Sequence, residues 1–222
     1  MALPFRLLVI TDRSLMGEDP VSRATELARA QIPGWALQWR DPQATTADLY
    51  RDLLAVRDRL VDPSNGAQPA PVETTANPGL RILVNDRVDV AAALGLDAHL
   101  KETSLPTRAA RALLPPPSLL GRSAHAANTA QIAADEGADY VLFGPIFDTP
   151  SKRRFGPPQG LEALRELAAE SAVPVFAVGG IDAKNANECI DAGAAGVAVI
   201  RAVWDHPEPL VAIQEILERA RS

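Results

Sequence analysis

The feature that most limits how this chain can fold is an alternation. Short apolar runs recur between longer segments of helical periodicity along the sequence. The runs are Arg6–Ile10, Ala36–Trp39, Ile82–Val84, Ala98–Leu100, Leu119–Gly121, Tyr140–Phe143, Val175–Val178 and Gly196–Ile200. Several are almost continuously apolar, the pattern of parallel strands buried on both faces. Between them lie amphipathic stretches: VSRATELARAQ, TTADLYRDLLAVRDRL, AANTAQIAADEG, GLEALRELAAES, DAKNANECIDAG and PLVAIQEILERAR. Such alternation predicts right-handed βα units in a parallel sheet. Eight units in 222 residues fit a closed (β/α)8 TIM barrel near the lower end of its size range. A doubly wound open sheet is the rival. It asks for a glycine-rich turn after the first strand, which VITDRSLMG lacks. The expected organisation is one α/β barrel domain over 1–222 with a solvated, flexible insertion at 62–78, where DPSNGAQPAPVETTANP has no periodicity. LLPPPS at 113–118 reads as a stiff connector.

Composition narrows the partners. A net charge of −6 and a pI of about 5.1 argue against nucleic acid, while leaving room for a local anion site. No apolar run is long enough to span a bilayer and the first residues lack a signal-peptide layout, so the expectation is a cytoplasmic protein without a membrane partner. The single cysteine, Cys189, excludes an intramolecular disulfide and sits in a helical pattern as a small core residue. Barrels of this sort often pair, which leaves a homodimer open.

In a barrel of this class the chemistry lies at the carboxyl ends of the strands. The residues just past the runs are Thr11 and Asp12; Arg40 and Asp41; Asn85, Asp86 and Arg87; Lys101 and Glu102; Ser123 and His125; Thr149, Ser151 and Lys152; Gly179 and Gly180; and Arg201. In AVGGID two glycines end a strand, allowing close backbone approach to a ligand, and Asp182 is placed to cap the next helix. With GVAVIRAV it forms the loop pair that often binds phosphate after strands seven and eight, where Arg201 adds a cation. The flap VLFGPIFDTPSKRRFGPPQG, with its hydroxyls and lysine, would fold over the phosphorylated end of a small ligand. Of three histidines, His206 lies in a surface bend, and His99, in DAHLKE, reads as either a satisfied structural group or a functional one. His125, before a helix, is the candidate general acid or base. Asn85 and Asp86 are oxygen donors suited to a hard cation.

As an ordered set, ITD, LQWRD, VNDRVDVAAALGLDAHL, GRSAH, GADYVLFGPIFDTPSK, VPVFAVGGI and GVAVIRAV resemble the thiamine-phosphate synthase family, including its TenI-type thiazole tautomerase branch. The likeness runs over nearly the whole chain and implies a TIM barrel. Carried over by position, Arg40, Asn85, Asp86, Ser123 and Lys152 resemble the pyrophosphate–magnesium set of the synthase. Thr149, Ser151, Gly179 and Gly180 resemble its thiazole-phosphate contacts. Two departures stand out. Pro42 replaces the lysine of Gln-x-Arg-x-Lys, and HLKETS puts Lys101 and Glu102 at a Gly-Gln pair and Ser104 at the second metal-binding aspartate. The first reading is therefore a tautomerase that aromatises a carboxythiazole phosphate without a cofactor, with His125 shuttling the proton and Arg40 holding the carboxylate. The second is a synthase that joins a pyrimidine pyrophosphate to a thiazole phosphate with magnesium, Asp86 serving as metal ligand. The third is a non-catalytic binder of thiazole or thiamine phosphate.

Overall fold

The computed structural model describes residues 3–60, 80–114, 117–149, 153 and 156–221. The expected insertion at 62–78 lies outside them, as do Ser151 and Lys152 of the flap and two prolines of the connector, Pro115 and Pro116. The described residues contain eight strands: β1 (Leu7–Ile10), β2 (Trp35–Trp39), β3 (Arg81–Asn85), β4 (Asp97–Leu100), β5 (Leu120–Ala124), β6 (Tyr140–Phe143), β7 (Val175–Val178) and β8 (Gly196–Val199). Each pairs in parallel with its sequence neighbours, and β8 pairs with β1 to close the barrel. The (β/α)8 expectation holds.

The helices are α1 (Arg13–Met16), α2 (Pro20–Arg29), α3 (Thr46–Leu60), α4 (Val88–Leu94), α5 (Thr107–Leu113), α6 (Ala127–Asp135), α7 (Gly160–Glu170), α8 (Ala186–Asp191), α9 (Arg201–Trp204) and α10 (Pro209–Arg219). The strands divide their side chains between two cores because successive residues point to opposite faces. Leu7, Val9, Leu37, Val141, Val197 and Val199 pack outward with the helices, whereas Leu8, Ile10, Ala36, Leu83, Leu142 and Ala198 fill the barrel interior. That double burial is why the runs are nearly all apolar in sequence. Cys189 is fully buried in the helix layer, as expected, and burial pushes its thiol up to about 12.

The interior is uneven in size, with glycines facing rings. Phe5, Tyr140 and Phe176 form an aromatic cluster with centroids 5.4–6.0 Å apart. A Cβ on Gly196 would come within 2.5 Å of the Phe176 ring, and one on Gly121 would overlap the Tyr140 ring. These two glycines leave space that two aromatic side chains take up.

The sequence expectations need several adjustments. The fifth strand extends to Ala124, so Ser123 belongs to it and does not follow it; Asn85 likewise closes β3. α8 starts only at Ala186, with Asn185 as its cap. Asp182 instead organises the preceding turn, accepting from the Lys184 amide at 2.7 Å. The helices α4 and α5 fall in stretches too short, or too close to prolines, to register as periodic.

Candidate active site at the carboxyl end of the barrel

Because every strand is parallel, all the loops that follow a strand emerge at one end. The structure ties several of them together. On β2, Gln38 points inward and its Nε2 donates to Asn85 Oδ1 on β3 at 2.8 Å. The Gln38 Oε1 is buried and has no hydrogen-bond partner among the described residues. The side chain of Arg40 makes no ion pair among the described residues, while its backbone is held on both sides by Thr11 Oγ1, at 2.7 and 3.0 Å. This half of the mouth therefore carries Arg40, an amide pair and a buried acceptor.

Asp86, just past β3, has a left-handed backbone with φ of 63°, uncommon for a residue with a side chain. Its amide donates to His99 O at 2.8 Å. That posture aims the carboxylate at the loop after β4: Lys101 Nζ makes an ion pair with Oδ2, and Ser104 Oγ donates to Oδ1. Between them, Glu102 turns the other way. Its Oε2 lies 2.6 Å from His125 Nδ1 and its Oε1 accepts from the His125 amide at 3.3 Å. Burial pushes the Glu102 carboxyl up, but hydrogen bonds from Thr129 and His125 outweigh it and hold it below its usual range. An ionised Glu102 accepts the Nδ1–H of His125 and leaves Nε2 as the free ring nitrogen.

The segment GRSAH now has a part-by-part explanation. Gly121 makes room for Tyr140. Arg122 points outward and clamps the β4 loop, donating to Leu105 O and Glu102 O at 2.8 Å each. Ser123 Oγ lies 3.0 Å from His99 Nε2, and His99 Nδ1 lies 2.9 Å from the Tyr140 hydroxyl. Burial pushes the Tyr140 hydroxyl well above its ordinary range, so it stays a phenol, and His99 Nδ1 is the one partner for its hydroxyl hydrogen among the described residues. The tautomer this selects carries its proton on Nε2 and donates it to Ser123. The Ser123 hydroxyl hydrogen is then left to donate elsewhere. His99 is thus a satisfied structural histidine, the first of its two sequence readings, and it also orients a site residue.

Across the mouth, the loop after β6 packs on the loop after β7. Ile146 N donates to Val178 O at 2.9 Å and Phe147 N to Gly179 O at 3.0 Å. Gly179 and Gly180 have φ of 102° and 69°. A Cβ on either would press within 2.5 Å of Pro145 or 2.8 Å of Phe147. The glycines are needed for this seam. Gln159 closes the circuit: its amide N donates to Pro145 O at 2.8 Å and its side chain to His125 O at 3.5 Å. His125 is therefore on the same rim as Gly179 and Gly180.

Arg201 fits its expected role least well. It opens α9, its side chain is 66% exposed, and it pairs with Asp205 at 3.0 Å. Thr149 is half-buried, near the middle of the flap sequence. Gln38, Lys101, Glu102 and Ser104 complete the site, and of these Gln38 was not singled out from sequence. Its signal is a lone amide in the otherwise apolar run WALQW, which is buried throughout. A separate groove of about 550 Å³ lies at the opposite, amino-terminal end, lined by Phe5, Ile32, Pro33 and Leu217 among others. It carries none of these groups.

Fold and site together define a class of barrel enzymes whose polar groups are gathered at one mouth. Comparison with known proteins gives the particular family. Residues 67–203 match the family model described as thiamine monophosphate synthase. The thiamine-phosphate synthase of Roseiflexus sp. (strain RS-1) is 39% identical over 211 residues, covering 94% of this chain and 82% of the relative. That of Methanoculleus marisnigri is 38% identical over 218 residues, covering 97% and 95%. The solved thiamine phosphate pyrophosphorylase from Pyrococcus furiosus superposes with a TM-score of 0.77 at 29% identity, covering 97% of this chain and 95% of that one. The chain belongs to the thiamine monophosphate synthase family. The names of these relatives are those of the synthase, which reverses the order of the first two sequence readings. No helix among the described residues is long and apolar enough to cross a membrane.

Proposed function

We propose that this chain is a thiamine-phosphate synthase, joining a pyrimidine carrying a methylene pyrophosphate to a thiazole phosphate. The observation that carries the reading is the convergence of Arg40, the Lys101–Asp86 pair and the Gly179–Gly180 seam on one end of the barrel, in a chain whose relatives bear that name. The thiazole phosphate sits at the Gly179–Gly180 seam with Thr149 and Ser151. The pyrophosphate sits opposite, at Arg40, Asn85 and Ser123, with Lys152 added by the family resemblance. In the reaction the thiazole nitrogen forms a bond to the methylene carbon while the carbon–oxygen bond to pyrophosphate breaks. The bonding pair leaves with the pyrophosphate and the ring nitrogen becomes cationic. Catalysis then consists of aligning the nitrogen with the methylene and holding the extra negative charge on the leaving group. In this reading Arg40 and the Ser123 hydroxyl take on that task, and the buried Gln38 Oε1 accepts from the pyrimidine.

The family resemblance implies magnesium on the pyrophosphate. The donor set does not fit it. Both Asp86 oxygens are engaged, Glu102 is turned to His125, and no group of three His, Cys, Asp or Glu gathers for a metal among the described residues. Magnesium on a phosphorylated substrate takes one or two protein carboxylates beside phosphate and water oxygens, and here the one candidate, Asp86, is already neutralised by Lys101.

The test is to supply both phosphorylated halves and follow thiamine phosphate. The wild-type protein forms it, and Arg40→Ala lowers kcat/KM roughly 10- to 100-fold through loss of a charge-assisted contact. No product at any magnesium concentration removes the reading.

One observation favours the tautomerase as a second reading: the His125–Glu102 pair, a base oriented by a carboxylate. On the same preparation, this reading requires turnover of a carboxythiazole phosphate that His125→Asn abolishes. Turnover that survives His125→Asn removes it.

A further inference from the structure

The structure assigns to Lys101 the place of a fixed cation in the anion site: we infer that its ammonium group, anchored on Asp86, binds the pyrophosphate group directly and dispenses with a divalent metal there. The inference rests on the reading that pyrophosphate is held in this half of the mouth. Its support is how the β4 loop is built. The loop cannot swing Lys101 aside freely, since Arg122 holds the carbonyls of Glu102 and Leu105, and Ser104 N donates to Lys101 O at 3.0 Å. The left-handed backbone of Asp86 fixes the other partner. The ion pair and the Ser104 hydroxyl occupy one carboxylate oxygen each.

A divalent ion entering here would have to displace the ammonium. Beside pyrophosphate and water oxygens it would then find a single protein carboxylate, the one the ammonium already neutralises, and one neutral hydroxyl, because the neighbouring carboxylate of Glu102 serves His125. An ammonium has three donor hydrogens, and Asp86 needs one. The side chain is 55% exposed, so the remaining hydrogens are accessible at the mouth. Arg40, which follows β2 at the same end of the barrel, makes no ion pair among the described residues and offers a second cation for the same anion. Two fixed cations facing a diphosphate supply the charge complement for which metal-dependent sites use an ion.

The experiment is titration calorimetry of the full chain with inorganic pyrophosphate, in EDTA and in millimolar magnesium. The expected dissociation constant is the same in both within about threefold. Lys101→Gln weakens binding in EDTA by at least about tenfold, and Lys101→Arg retains it. The double variant Lys101→Gln/Ser104→Asp, which trades the ammonium for a second carboxylate, binds only with magnesium. An unchanged melting temperature checks that each variant is folded, as a half-exposed lysine allows. Binding that tightens tenfold or more with magnesium overturns the inference, as does unchanged binding by Lys101→Gln or no binding in EDTA. The two readings fail separately. Metal-free pyrophosphate binding without thiamine phosphate formation removes only the synthase; thiamine phosphate formed solely with magnesium removes only the role of Lys101.

Discussion

Gly121→Ala will destabilise the protein by about 3 kcal/mol, the upper end of what one overpacked methyl group costs in a tight interior. For a chain of this size that corresponds to a fall in melting temperature of roughly 6–12 °C. The new Cβ would occupy space already filled by the Tyr140 ring. That ring cannot step aside cheaply. It packs edge-on against Phe5 and at a tilt against Phe176, and its hydroxyl is committed to His99. The backbone at Gly121 is ordinary β strand, so the effect is purely steric. Shortening the opposing side chain gives the internal control. In the Gly121→Ala background, Tyr140→Leu should cost much less than it does alone, since the ring is then the source of the overlap. A melting temperature within 2 °C of wild type for Gly121→Ala, on the same size scaling, contradicts this packing account.

The second large effect is acid sensitivity from His99. Burial, reinforced by the charge of Arg122, lowers its pKa to about 3, well under the ordinary 6.5; Asp86 opposes this only weakly. The unfolded chain therefore takes up a proton at pH values where the folded chain does not. The resulting stabilisation is complete above about pH 6.5 and is lost as pH falls towards 3, at up to about 1.4 kcal/mol per unit. Between pH 6.5 and 4.5 the loss from this group alone is on the order of 2 kcal/mol. His99→Gln keeps a donor and an acceptor but cannot titrate. Urea midpoints measured across that range should fall more steeply for wild type than for His99→Gln. Parallel slopes would show that His99 is protonated in the folded state.

These two residues also mark how far sequence reasoning reached. The strands were readable because double burial makes each an apolar run, and seven of the eight agree with the structure to within one or two residues at either end. The fifth fails because its second half, Arg122–Ala124, mixes a clamp and a site hydroxyl into the strand. Periodicity cannot distinguish such residues from the start of a loop. The mouth was legible as a set of positions, since a parallel barrel sends every strand end to one rim. Who pairs with whom was not. Lys101, Glu102 and Ser104 are neighbours in sequence, yet two serve Asp86 and one serves His125. That division depends on loop geometry that no spacing encodes. Arg201 shows the converse, a well-placed cation drawn to its own helix by Asp205.

A crystal structure of the protein grown with thiazole phosphate and pyrophosphate together addresses the central claim most directly. The thiazole phosphate should lie against the Gly179–Gly180 seam, and the pyrophosphate should lie against Arg40 and Lys101, with His125 on the rim between them. Density for either ligand in the groove at the amino-terminal end, with the mouth left empty, would contradict the account.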